Sequence, residues 1–119
     1  MDTTTIVNLS QTRGDSKAYQ FQRFNKVDKS VITIPPDTIY MTVKKNYDTK
    51  DYLFQKTKDD FVIDPDGTYH FEILPEDTEE LRYGKYVYDI QVTTDGKVTT
   101  LVKGVFEIGK ESTWAVNEG

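Results

Sequence analysis

The amino-acid sequence predicts an all-β domain of the sandwich type, built from antiparallel strands. Three observations carry that expectation. Apolar and polar residues alternate along several short stretches, most cleanly where Tyr86, Tyr88, Ile90 and Val92 interleave with Lys85, Asp89 and Gln91. A period of two marks a strand with one dry face. Turn-forming clusters separate these stretches, which is the spacing of a sandwich or barrel. The composition agrees: aromatic residues make up 13% of the chain, led by eight Tyr and six Phe, and Ala is almost absent. That mixture favours a pleated, half-buried surface and disfavours helix.

The first strands carry the weakest signals, over residues 4–9, 17–23 and 30–34. Pro35 and Pro36 end the third, because proline has no N–H to give a ladder. Ile39, Met41 and Val43 then alternate with Tyr40, Thr42 and Lys44. A polar turn over 46–51 leads to a short strand over 52–57. Residues 60–63 enter the turn Asp64-Pro65-Asp66-Gly67, where proline presets φ and glycine accepts a positive one. Tyr69, Phe71 and Ile73 follow, alternating with His70 and Glu72. Pro75 and the acids behind it suit the first turn of a helix, so one short helical turn is expected over 75–81.

The strand at 85–92 has one apolar intruder on its polar face, Val87. The turn Thr94-Asp95-Gly96-Lys97 is a strong hairpin signal. Its return strand over 98–108 loses alternation between Leu101 and Gly104, which points to a bulge or bend at Gly104. The expected organisation is one domain over 1–108 and a tail over 109–119. A chain of 119 residues buries roughly 60–70% of its unfolded surface, enough for an ordinary core.

Charge and composition narrow the function. The net charge is −5, without a basic run, so no nucleic-acid partner is expected. There is no Cys, which removes disulfides, thiol nucleophiles and Cys-based metal sites. The first ten residues lack the regions of a signal peptide, and no apolar stretch approaches transmembrane length, so neither secretion nor a membrane contact is expected.

Candidate chemistry is sparse. His70 is the only histidine and falls on a polar strand face, the place of a solvated side chain. Asp60, Asp64 and Asp66 surround Gly67, but aligning that glycine with an EF-hand loop puts Val62 and Ile73 where acidic ligands belong. Glu76, Asp77, Glu79 and Glu80 crowd one turn and read as a solvated face. Arg13-Gly14-Asp15 reads as a turn. No phosphate-binding glycine loop is present. The chain is therefore expected to have no cofactor, no metal and no catalytic residue.

The strongest local motif is structural. In Leu81-x-x-Gly84-x-Tyr86-x-Tyr88, Leu81 plugs the core, Gly84 permits a tight corner, and Tyr86 buries its ring while returning its hydroxyl to nearby backbone. This resembles the tyrosine corner of immunoglobulin-like sandwiches. Tyr86 and Tyr88 fall on the apolar face of one strand and read as core. Tyr47, Tyr52 and Phe54, beside a short strand that could lie at a sheet edge, and Trp114 in the tail are the candidate partner contacts. All four have a second, structural reading, which for Trp114 is a cap on the end of the sandwich.

Four blocks together suggest a family. They are Met41-Thr-Val-Lys-Lys-Asn46 with Leu53-Phe-Gln-Lys-Thr57; Leu74-Pro-Glu-Asp-Thr78; Leu81 to Val92; and Asp95 to Ile108. With Arg13-Gly-Asp15 leading into residues 17–22, their order resembles the N-terminal domain of the baseplate upper protein family of tailed phages that infect Gram-positive bacteria. The resemblance spans about residues 13–113. It implies an immunoglobulin-like virion protein, made in the host cytoplasm, that assembles with itself and with other phage structural proteins. A tail or neck adaptor is equally compatible. A carbohydrate-binding or adhesin-type sandwich, using Tyr and Trp faces on sugars, is the alternative function.

Overall fold

In the computed structural model, which describes residues 5–25 and 27–109, the alternating stretches become strands of two sheets. The elements are β1 (Thr5–Ile6), β2 (Leu9–Thr12), β3 (Lys17–Gln22), β4 (Thr38–Lys44), β5 (Phe54–Lys56), a 3-10 turn (Lys58–Asp60), β6 (Val62–Ile63), β7 (Thr68–Ile73), α1 (Pro75–Thr78), β8 (Gly84–Thr94) and β9 (Lys97–Gly109). The larger sheet runs β1-β9-β8-β4-β5, with β2 also on β9, and the smaller runs β3-β7-β6. The described residues are all-β apart from two short helical turns.

One core lies between the sheets. Ile39, Met41 and Val43 of β4, Tyr88, Ile90 and Val92 of β8, and Phe106 and Ile108 of β9 share it with Tyr69, Phe71 and Ile73 of β7. Each such side chain contributes roughly 1.5–3 kcal/mol when fully buried. Aromatic rings tie strands together within each sheet. Phe21 stacks on Tyr69 with centroids 4.8 Å apart, Tyr19 on Phe71 at 5.3 Å, and Phe54 meets Phe106 edge-on at 6.0 Å.

The two turn-coded hairpins form. Asp95 and Gly96 take φ of 52° and 79°, both positive as a two-residue hairpin turn requires. The Asp64 turn closes with Gly67 N–H donating to the Asp64 carbonyl at 2.9 Å.

Three sequence expectations are corrected. The larger sheet is mixed, because β1 and β2 run parallel to β9. Alternation reports which face is dry and carries no information on strand direction. Residues 30–34 form no strand; a single bridge joins Phe24 to Val31, and the prolines that follow stop any ladder. The bulge in β9 lies at Leu101, since Ile90 pairs with Val102 and Gln91 with Thr100. Gly104 serves a different purpose: a Cβ there would stand 2.1 Å from the Val7 carbonyl oxygen. Glycine is needed at that point because the edge strand approaches it closely.

Candidate interaction surface

The outward face of the larger sheet is the most distinctive surface. Ladder pairing lines up Gln55, Thr42, Asp89, Lys103 and Ile6 in one row across it. Lys44, Val87 and Val105 form the next row, and Tyr40, Gln91 and Thr100 the row on the other side. Side-chain amides brace the face: Gln55 donates to Thr42 Oγ1 at 3.0 Å and Gln91 to Thr100 Oγ1 at 3.1 Å. The positions that alternation assigns to solvent therefore include Tyr40, Val87, Val105 and Ile6.

Tyr47 joins this face from the β4–β5 connection. Its hydroxyl donates to the Gly104 carbonyl on β9 at 3.2 Å, so the side chain reaches back towards the middle of the sheet. Burial raises the pKa of the Tyr47 hydroxyl, and the Asp89 carboxylate raises it further. The Asp89 carboxyl is itself raised by burial, which the Lys44 ammonium partly offsets. A half-buried carboxylate thus lies among tyrosine and two lysines at the centre of the sheet.

The sequence-derived contact residues separate. Tyr47 and Tyr52 are exposed, at 53% and 55%, beside the exposed Leu53. Phe54 is corrected: it is buried in the core against Phe106 and offers no partner a surface. Val43 pairs with Phe54 in the ladder, and that register turns the ring inward. Trp114 lies outside the described residues. Tyr40 and Asp89 were missed. The available signal was an aromatic at an outward strand position, next to the apolar intrusion of Val87.

The corner residues meet at the opposite end of β8. The Tyr86 hydroxyl donates to the Arg82 carbonyl at 2.7 Å. Gly84 has φ of 145°, a backbone that side chains rarely accept, although no atom lies within 4 Å of where a Cβ would stand. Leu81 packs half-buried against the core. Arg13-Gly14-Asp15 docks beneath this corner. The Arg13 guanidinium lies 4.4 Å from the Tyr83 ring centroid, and Gly14 N–H donates to the buried Thr78 hydroxyl at 3.0 Å.

The acidic turn is not uniform. The Asp77 carboxylate accepts from the ammonium of Lys56, which is 6% exposed, and from Leu74 N–H at 2.8 Å, whereas Glu76, Glu79 and Glu80 face water. His70 Nε2 and Asp64 Oδ2 stand 2.7 Å apart, joining the β6–β7 turn to its strand. Among the described residues no group of three or more His, Cys, Asp or Glu is placed to hold a metal ion. Among the described residues no helix is long and apolar enough to cross a membrane. No protein-family model matches the sequence, and a search of curated proteins returns no match.

Proposed function

We propose that this chain is a structural protein of a tailed phage or prophage, a tail, baseplate or neck adaptor that works by protein–protein contact and not by catalysis. The observation that carries the reading is the outward sheet face. Tyr40, Val87, Val105 and Ile6 interrupt what would otherwise be a polar surface, around a charged and partly desolvated centre. Aromatic and aliphatic side chains standing among polar groups on an outward sheet face support its reading as a contact surface.

The immunoglobulin-like reading of the fold belongs to this proposal. Its support is the strand order β9-β8-β4-β5 against β3-β7-β6, which follows the G-F-C-C′ and B-E-D arrangement of those sandwiches, together with the Tyr86 hydroxyl on the backbone before β8. The blocks that resemble the baseplate upper protein family supply the virion setting.

Light scattering combined with a glycan-binding assay tests this function. A stable oligomer with no affinity for cell-wall polysaccharide is expected. A monomer that binds such polysaccharide, and loses it on Tyr52→Ala, would replace the assembly role with a carbohydrate-binding one.

A further inference from the structure

We infer that two copies of this chain pair through the free edge of β3. The inference rests on the self-assembly part of the proposed function and names the contact. An open strand edge is a row of unpaired amide and carbonyl groups, and what satisfies it is another extended backbone. Among the described residues the two sheets end in four edges: β1 with β2, β5, β3 and β6.

Three of these are blunted. β5 has three residues and β6 two. The β1–β2 edge is broken at Val7 and Asn8: the Val7 carbonyl takes the Tyr88 hydroxyl, and the Asn8 side chain, not its backbone, accepts from Val105 N–H. β3 differs. It presents six regular residues, Lys17–Gln22, laddered on one side to β7. From Ala18 to Gln22 it carries no charge, so the usual guard of an edge strand is missing along its middle. Apolar surface adjoins it, where Phe21, Leu101 and Val102 line a groove with the exposed Phe24 and Val27.

The edge is complementary to itself. A two-fold contact sets one β3 antiparallel to the other. Directly opposed residues share a face, so the axis passes through a residue. With the axis at Gln20, Tyr19 opposes Phe21 of the second copy on the core side, and the reciprocal pair forms as well. Ala18 opposes Gln22 on the outer side. Aromatic cross-strand pairs are among the stabilising ones. Both rings are already ordered, by Phe71 and Tyr69. Lys17 and Arg23 oppose one another only at the ends, and the Lys17 ammonium is turned to the Ser10 carbonyl at 3.0 Å. The two smaller sheets then form one continuous six-stranded sheet.

Single cysteines test the contact, because the chain has none of its own. Opposed residues in an antiparallel pair have Cα atoms about 4.5–5.5 Å apart, within the roughly 4.4–6.8 Å span of a disulfide. Two Gln22 residues in this register stand about 14 Å apart, beyond that reach. Under mild oxidation the exposed Gln20→Cys is expected to give a covalent dimer at least about tenfold faster than Gln22→Cys. Gln20→Lys is expected to dissociate the dimer and leave the melting temperature of the monomer unchanged. If the wild type is a dimer but Gln20→Cys does not link faster than Gln22→Cys, the edge assignment fails and self-assembly stands. If the wild type is a monomer at every concentration reached, both fail together.

Discussion

The hydroxyl of Tyr88 donates to the carbonyl of Val7 at 2.6 Å, tying a core strand to the edge of its own sheet. Gly104 makes the bond possible. It pairs with Tyr88 in the ladder, and its missing side chain leaves the space that the Val7 carbonyl enters. Asn8 completes the arrangement by accepting from Val105 N–H at 3.0 Å where the turned backbone cannot. A break in the edge strand is thus specified by a tyrosine, a glycine and an asparagine far apart in sequence.

Gly104→Ala therefore pushes the edge strand off β9. The expected cost is about 1–3 kcal/mol, the scale of overpacking a tight contact, and Tyr88→Phe costs about 0.5–1.5 kcal/mol, the net worth of one hydrogen bond. Urea denaturation gives both values, and hydrogen exchange at Val105 N–H should quicken in each variant. Wild-type stability in Gly104→Ala would mean that β1 and β2 do not approach β9 this closely.

Alkaline pH tests the same pair by another route. Burial raises the Tyr88 hydroxyl from 10.0 to about 12, with the fields of Tyr47 and Tyr19 adding to it. Burial raises Tyr19 to about 12 as well. A folded-state pKa above the unfolded one stabilises fully below the unfolded value and is lost as pH climbs through the folded value. Stability is expected to hold to about pH 10 and fall towards pH 12, and to fall less steeply in Tyr88→Phe. Melting temperature across that range, with tyrosinate absorbance, reads it.

The acidic turn separates one buried partner from three solvated charges. Asp77→Ala leaves the Lys56 ammonium buried without its carboxylate and removes the acceptor for Leu74 N–H. Breaking a buried pair in this way costs about 3–5 kcal/mol. Glu79→Ala should stay within about 0.5 kcal/mol of wild type. Equal effects in thermal denaturation would contradict the distinction.

The tight corner depends on Gly84. Its φ of 145° belongs to glycine, so Gly84→Val is expected to destabilise by about 1–3 kcal/mol through backbone strain alone. Gly109→Ala, with open space around it, is the control and should be neutral. An unchanged melting temperature for Gly84→Val would remove the strain argument.

Asp89 is the charged centre of the proposed contact face. Burial raises its folded-state pKa, so its contribution to stability is present at acid pH and lost as pH rises through that value. Asp89→Asn is expected to be more stable than wild type at neutral pH and to converge with it in acid. A variant less stable at neutral pH would show that Lys44 outweighs burial.

Much of the fold was legible in the residues because alternation, turn chemistry and core pattern agree locally. Ile39, Met41 and Val43, and the run from Tyr86 to Val92, announce their dry faces within a few positions. What was not legible depends on neighbours distant in sequence. Nothing in Val7 or Asn8 signals a parallel partner in β9, so neither the mixed sheet nor the purpose of Gly104 was visible. Asp77 cannot be told from Glu79 by composition; the register that brings Lys56 inside decides it. Phe54 was misjudged for a similar reason, since a ring in a short strand faces in or out according to its pairing. The outer face was half visible, in Val87 standing among polar residues.

The assembly function is tested most directly by quantitative mass spectrometry of purified particles from the host that carries this gene. The account predicts the chain in the particles, at a fixed ratio to the tail proteins. Its presence in the cell lysate and absence from the particles would contradict it.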